Sequence, residues 1–244
     1  MKIKSIYSPN FNKRKRSNNS IKIIIIHYTG MQSERESIDR LCNPYHKVSS
    51  HYLINRSGKI YSLVKENYSA WHAGKSNWDK MKNLNKCSIG IELVNKGHEY
   101  GYTTFKKKQI ESLIKVCKKL IKKYKIKKNY ILGHSDIAPL RKTDPGEKFP
   151  WKVLSAQKIG FWHNLNSRIL KKNRNKKTSG KERLEFIQNI KDIGYYCSLK
   201  KKSSIVKNTE AFQRHFRQDL INGYIDKECI LIAKNLLKKI IKNP

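Results

Sequence analysis

Apolar side chains follow two different periods along the chain, and each period predicts a different element. Residues 21–26 read Ile-Lys-Ile-Ile-Ile-Ile, a nearly unbroken β-branched run typical of a strand covered on both faces, and His27 follows it. Residues 88–94 are rich in strand-forming side chains and place Glu92 on one face. Between residues 104 and 126 the apolar positions are three or four apart, which predicts an amphipathic helix. These elements predict an α/β fold, a mixed central β-sheet flanked by helices.

Shorter motifs predict the elements that lie between these. Ser33 and Glu36 have the spacing of a capping box and start a short helix, which Asn43-Pro44 ends. Residues 51–54 and 59–64 read as two strands, and the turn between them contains a glycine that tolerates positive φ. We therefore predict a hairpin after the first helix.

Three potential metal ligands lie at predicted strand ends or in a long loop. His27 follows the first strand, His134 follows a short strand at residues 130–132, and Asp144 lies in the Pro-containing loop of residues 135–150. A catalytic zinc takes three protein ligands of nitrogen or carboxylate type and leaves a fourth position open. Each residue also has an ordinary explanation, either a hydrogen-bonded core histidine or an aspartate that opens a turn before proline. Spacing alone leaves both readings open.

The C-terminal quarter of the chain has a different composition. Residues 171–180 contain no apolar side chain, which predicts an exposed linker. Beyond it the apolar pattern predicts three helices, at residues 184–193, 209–216 and 226–241. The predicted division is a catalytic domain, a basic linker and a small all-α module, at residues 1–168, 169–182 and 183–244.

The chain is strongly basic, with 54 Lys and Arg against 18 Asp and Glu and a net charge of +36. Such a charge attracts polyanions. The excess is mostly lysine, dispersed along all 244 residues with abundant Ile and Asn, as an A/T-rich coding genome produces. A nucleic-acid-binding protein would instead be expected to cluster arginine with stacking aromatics. We therefore predict no nucleic-acid partner.

Compartment is predicted from apolar runs and cysteines. The longest purely apolar run, residues 23–26, is too short for a transmembrane segment, so none is predicted. The first twenty residues lack the apolar stretch of a secretory signal. Five cysteines without C-x-x-C spacing favour reduced thiols over a disulfide frame. The expected compartment is the cytoplasm, with the periplasm or cell envelope as the alternative; the oligomeric state is not predicted.

Six motifs occur in one order along the chain: IIHYT at 25–29, VSSHYL at 48–53, AWHAG at 70–74, SIGIEL at 88–93, GHSDIAP at 133–139 and RKTDPGEKFPW at 141–151. Together they resemble the type-2 N-acetylmuramoyl-L-alanine amidases, relatives of the peptidoglycan recognition proteins. The resemblance extends from about residue 8 to residue 162, and the last two motifs look most like the AmiD branch.

The resemblance implies hydrolysis of the amide between the lactyl group of N-acetylmuramic acid and L-alanine, in peptidoglycan or muropeptide fragments. It implies one Zn²⁺ per chain at the strand ends, held by His27, His134 and Asp144. Glu92 resembles the family's general base, and Lys142 its oxyanion-stabilising residue. The alternatives are a surface carboxylate on a strand and one more of the chain's many lysines.

Two further motifs resemble binding elements. Trp71 and His72 look like the family's substrate cleft, although a packed turn would have the same residues. Residues 193–196, 211–216 and 222–226 resemble a peptidoglycan-binding three-helix module, with packing or dimerisation as the alternative. A receptor that binds wall without cutting it would be expected to lack a metal ligand or the base. All of these residues are present, so the sequence favours the enzyme.

Overall fold

The structure is a computed structural model that describes residues 2–242. Its strands are β1 (Ile3–Ser5), β2 (Phe11–Asn12), β3 (Ile23–Tyr28), β4 (Tyr52–Ile54), β5 (Ile60–Ser62), β6 (Ser69–Ala70), β7 (Asn77–Trp78), β8 (Met81–Lys82), β9 (Ser88–Leu93) and β10 (Ile131–Gly133). Its α-helices are α1 (Glu34–Cys42), α2 (Lys107–Tyr124), α3 (His134–Ile137), α4 (Trp151–Ala156), α5 (Ser167–Asn173), α6 (Gly180–Ile193), α7 (Lys202–Phe216) and α8 (Lys227–Lys242).

The central sheet has six strands in the order β1, β5, β4, β9, β3, β10. The hairpin of β4 and β5 is antiparallel, and every other neighbouring pair is parallel. The predicted mixed sheet, the hairpin and the long amphipathic helix are therefore confirmed. The parallel arrangement of β9, β3 and β10 brings the carboxyl ends of these three strands to one edge, where sites are commonly built.

The apolar run in β3 is explained by what covers the sheet. Successive residues of a strand face opposite sides. Ile24 lies in a core cluster with Leu113 of α2, whereas Ile23 lies in a second cluster with Phe186 of α6. Both sides of β3 are thus covered by helices, so residues 23–26 are apolar on both faces. The C-terminal helices share one core cluster with the sheet.

The starts of α1 and α6 carry capping groups that lie outside the apolar pattern. The Ser33 side chain accepts a hydrogen bond from the Glu36 N–H at the start of α1. At the start of α6, Ser179 and Glu182 form a second capping box. As a result α6 begins four residues before the predicted start at Leu184, because its first turn is polar and outside the apolar stripe.

The residues predicted as linker are partly ordered in helices. The end of α5 and the start of α6 lie within them. Arg174, between the two helices, donates to the buried Glu228 of α8 at 2.7 Å. The division of the chain into a catalytic domain, linker and module stays a prediction. None of the helices in residues 2–242 has the length and hydropathy that crossing a bilayer requires.

Candidate active site

Two of the three predicted ligands are brought together by strand pairing. His27 lies near the end of β3, and Gly133 at the end of β10 pairs with Ile26 in parallel register. His134, the next residue, therefore lies beside His27. Asp144 is held in the loop that follows α3, where the Ser135 N–H donates to the Asp144 carbonyl at 2.8 Å. The sheet and one backbone hydrogen bond thus place all three residues.

The ligand atoms of these residues form a small, buried triangle. Nδ1 of His27 lies 3.0 Å from Nδ1 of His134 and 3.0 Å from Oδ2 of Asp144. Nδ1 of His134 lies 3.2 Å from the same carboxylate oxygen. Tetrahedral zinc with ligand bonds near 2.0 Å separates its ligand atoms by roughly 3.3 Å. The observed triangle fits one face of such a site.

Outer hydrogen bonds decide which ring nitrogens carry protons. Nε2 of His134 lies 3.2 Å from the Ala73 carbonyl, which only accepts, so Nε2 must donate. Nε2 of His27 lies 3.1 Å from Nδ1 of His72, and Nε2 of His72 lies 3.3 Å from Oγ of Ser88, whose own proton goes to a backbone carbonyl. If His27 Nε2 donates to His72 Nδ1 and His72 Nε2 donates to Ser88 Oγ, each of these polar atoms has a hydrogen-bond partner. Both metal-facing Nδ1 atoms then hold lone pairs, as metal-binding histidines require.

The electrostatics of the triangle favour a cation. Burial and, to a smaller extent, the nearby His134 lower the pKa of His27 to about 4, so the imidazole is neutral. Burial alone would raise the pKa of Asp144, but the His134 and His27 rings hold it below its usual range, so it is ionised. Two imidazole nitrogens and one ionised carboxylate oxygen thus converge within 4.8 Å of one another. This donor set fits Zn²⁺.

Glu92 lies beside the triangle because β9 pairs with β3. His27 and Glu92 are direct partners in that parallel register. Within the described residues, Glu92 is buried and its Oε2 has no hydrogen-bond partner. Burial and the nearby Asp144 raise the pKa of Glu92 to about 8, while Lys142 opposes the shift. An unpaired carboxylate with a raised pKa is suited to proton transfer.

A cleft of about 380 Å³ opens above these residues. Its walls include His27, His134, Asp144, Glu92 and Lys142. Lys142 is exposed at its edge, two residues before Asp144. Four of these residues are buried, whereas Lys142 is exposed and adds a positive charge to the wall of the cleft.

The structure separates the two residues predicted to contact substrate. His72 is buried, with its ring directly behind His27, and a Cβ at Gly90 would lie only 2.4 Å from that ring. Trp71 is not among the residues that line the cleft, and its indole N–H donates to Oδ1 of Asn12 at 2.8 Å. The position of His72 suits orienting a metal ligand. Substrate contact by Trp71 and His72 stays a prediction.

Sequence reasoning missed several groups that hold the site. Arg141 donates from Nη2 to the Ala73 carbonyl, which also accepts from His134. The Tyr28 hydroxyl lies 2.8 Å from Nδ1 of His98 and 3.2 Å from Oγ1 of Thr143, next to Asp144. These partners are 70 and 115 residues apart along the chain. Arg141 lies within a recognised motif, but His98 has no local sequence signal.

The buried Glu92 carboxylate predicts a pH-dependent cost to stability in metal-free protein. Its folded pKa, about 8, exceeds the ordinary value of 4.5. Its favourable contribution is therefore complete below about pH 4.5 and is lost as the pH rises through 8. Glu92→Gln should raise the free energy of unfolding on the order of a few kcal/mol at pH 9, and little at pH 4. Urea denaturation in chelator measures this. An equal effect at both pH values would contradict it, and Glu99→Gln, on the exposed cleft rim, is the matched control.

Two histidines, an aspartate and a buried glutamate at the carboxyl ends of neighbouring strands form the arrangement of a metal-dependent hydrolase. The family model described as N-acetylmuramoyl-L-alanine amidase (Amidase_2) matches residues 17–147. The chain belongs to this family, and the predicted membership is confirmed.

Individual relatives agree with the family match. The chain is 36% identical to N-acetylmuramoyl-L-alanine amidase AmiD of Escherichia coli K12 over 235 residues, covering 90% of this chain and 83% of that one. It is 35% identical to 1,6-anhydro-N-acetylmuramyl-L-alanine amidase AmpD of Haemophilus influenzae over 167 residues, covering 61% and 88%. The structure of E. coli AmiD with the substrate anhydro-N-acetylmuramic acid-L-Ala-D-gamma-Glu-L-Lys matches with a TM-score of 0.80 at 34% identity, covering 93% and 92%.

Proposed function

We propose that the chain is a zinc-dependent amidase that hydrolyses the bond between the lactyl group of N-acetylmuramic acid and L-alanine. The observation that carries the proposal is the buried triangle of His27, His134 and Asp144 beside the unpartnered Glu92. Family membership supplies the bond type. The AmpD relative is a 1,6-anhydro-N-acetylmuramyl-L-alanine amidase, and the AmiD structure holds an anhydromuramyl tripeptide, which supports a soluble muropeptide as one substrate.

In this proposal Nδ1 of His27, Nδ1 of His134 and Oδ2 of Asp144 would hold one Zn²⁺. Zinc at such a site lowers the pKa of water and polarises a carbonyl. His72 and the Ala73 carbonyl orient the two imidazoles by accepting their Nε2 protons. Asp144 adds the negative charge that offsets part of the ion's charge.

Glu92 performs the proton transfers in this proposal. Its ionised carboxylate accepts a proton from the attacking water and then passes it to the departing L-alanine amine. The unpartnered Oε2 is free to make this contact. A cation held by His27 and Asp144 would lower the pKa of Glu92 from about 8, which increases the ionised fraction at neutral pH. Burial keeps the carboxylate basic enough to take the proton.

Lys142 and Trp71 have supporting roles in the proposal. The exposed ammonium of Lys142 stands at the mouth of the cleft, where negative charge develops on the carbonyl oxygen. Trp71 directly follows β6, and in the proposal its ring borders the path by which substrate approaches the cleft. All five cysteines are free thiols within the described residues, which supports action in a reducing compartment such as the cytoplasm.

The bond that is cut is the test of the proposal. Purified protein with zinc should convert an anhydromuramyl tripeptide into the free sugar acid and a peptide with an N-terminal L-alanine, as read by mass spectrometry. Sacculi tested in parallel decide whether intact wall is also a substrate. His134→Ala protein is the control for contaminating hydrolases. Cleavage within the peptide or at a glycosidic bond would reject the proposal.

A further inference from the structure

A buried carboxylate that sequence analysis did not single out lies two residues after a predicted metal ligand. Asp136 is 1% exposed and belongs to the single-turn helix α3, which His134 begins. Its Oδ2 accepts from the Gly133 N–H at 2.7 Å. Its other two partners come from the C-terminal part of the chain, one from the segment directly after α6 and one from α7. The Tyr195 hydroxyl donates to Oδ1 at 2.7 Å, and Nδ1 of His215 donates to Oδ2 at 2.8 Å.

Both C-terminal donors are themselves fixed by rings of the catalytic part. The Tyr195 ring packs edge-on against Trp78 at 4.8 Å between centroids. The His215 ring stacks on Trp151 at 3.8 Å and 16°. Nε2 of His215 is buried and has no partner among the described residues, so the ring is held by its bond to Asp136 and by stacking. Burial raises the pKa of Tyr195 well above its ordinary value, so the phenol keeps the proton that it donates.

The turn that Asp136 holds also fixes the two metal ligands of this loop. A Cβ at Gly133 would lie 2.7 Å from Pro145 and 3.3 Å from Trp151, so the backbone before His134 is in close contact with both. The Ser135 N–H donates to the Asp144 carbonyl, which ties the two ligand-bearing segments together. A displacement of Asp136 would therefore move His134 and Asp144 together.

We infer that Asp136 is a positioning residue for the metal centre and that Tyr195 and His215 hold it in place, so the C-terminal helices complete the site. The inference rests on the proposed zinc function. It differs from the expectation that these helices serve only to bind wall or to pack. A buried carboxylate with three hydrogen-bond donors is well stabilised, whereas one left with a single donor must reorganise or admit water. That reorganisation would occur next to His134.

The test uses the full chain with Tyr195→Phe and His215→Phe combined. Phenylalanine keeps both rings for packing and removes both donors to Asp136. The zinc dissociation constant, measured by chelator competition, should rise about tenfold, as loss of an outer partner of a metal ligand typically does. In metal-free protein, amide hydrogen exchange of Ser135 and Ala138 should also become faster, because their hydrogen bonds hold this turn. The single variant Tyr195→Phe should shift both quantities in the same direction by less.

Phe186→Leu is the matched control. Phe186 is fully buried in α6 against the Phe212 ring and forms none of the hydrogen bonds to Asp136, so the change weakens core packing and keeps both donors. It should lower thermal stability while leaving zinc affinity and Ser135 exchange unchanged. If the double variant behaves like this control, or if folded Tyr195→Phe matches wild type, the inference is wrong. A wild-type protein without zinc affinity would reject the proposed function instead, and the exchange comparison would still decide whether these donors hold the turn.

Discussion

Glu92→Gln is expected to lower kcat on a muramyl-L-alanine substrate by about 10²–10⁴, the usual contribution of a positioned general base. Glutamine has nearly the same shape, so the β9 pairing and the cleft should remain intact. The amide cannot accept a proton from water and return it to the leaving amine. Zinc content should be unchanged, because Glu92 is not one of the three residues whose ligand atoms converge.

Metal content and turnover must be measured on the same preparation for this result to be interpreted. Glu99→Gln removes the same charge from the exposed rim of the cleft and should change kcat little. A Glu92→Gln protein with full zinc and near-normal kcat would show that another group transfers the proton. Loss of zinc together with turnover would instead mean that Glu92 supports metal binding.

His134→Ala is expected to abolish turnover by removing the metal. Losing even an outer hydrogen bond to a ligand costs 10–100-fold in affinity, so loss of a ligand should weaken zinc binding by more than about 100-fold. The two remaining groups, His27 and Asp144, then hold the ion poorly. Equilibrium dialysis with metal analysis measures the dissociation constant directly. His46→Ala, half-exposed and outside the triangle, should bind zinc like the wild type.

The result for His134→Ala also has a clear contrary outcome. Full zinc affinity in this variant would mean that the ion binds elsewhere on the chain. Wild-type activity in the absence of bound metal would mean that the buried triangle serves only to fold the loop. Either result would mean that the triangle of His27, His134 and Asp144 does not carry out the zinc-dependent hydrolysis proposed for it.

The elements that carry Glu92 and His27 could be predicted from the sequence because each has a strong local pattern. The β-branched run of β3 reflects helices on both sides of the sheet, and that burial leaves a purely apolar signature. The pairing of His27 with Glu92 depends on the parallel register of β3 and β9, which no local pattern specifies. Here the resemblance of motifs, rather than periodicity, indicated that the two residues work together.

The elements that hold the site in place could not be predicted from local sequence patterns. Helix α3 has only four residues, too few to show a helical period, and its segment was predicted as irregular loop. Asp136 meets His215 across 79 residues of sequence, and both belong to segments with different predicted roles. The strands β7 and β8 have two residues each and left no alternation to detect. Short elements and contacts between distant residues depend on tertiary packing, which a local sequence pattern does not specify.

The contacts that the C-terminal helices make with the rest of the fold bear on their role. The apolar-free stretch predicted a separable module, whereas Arg174 within it pairs with the buried Glu228 and the helices beyond share a core cluster with β3. Tyr195 and His215 extend this packing to Asp136. Removal of these helices should therefore affect the metal site as well as any binding to wall.

Zinc titration of metal-free protein against amidase activity tests the central claim most directly. Chelator-treated protein should be inactive on an anhydromuramyl tripeptide. Added zinc should restore activity linearly until one ion is bound per chain, with no further gain, since one triangle of ligand atoms is present in residues 2–242. Full activity in chelator, or restoration that requires two or more ions per chain, would contradict the account.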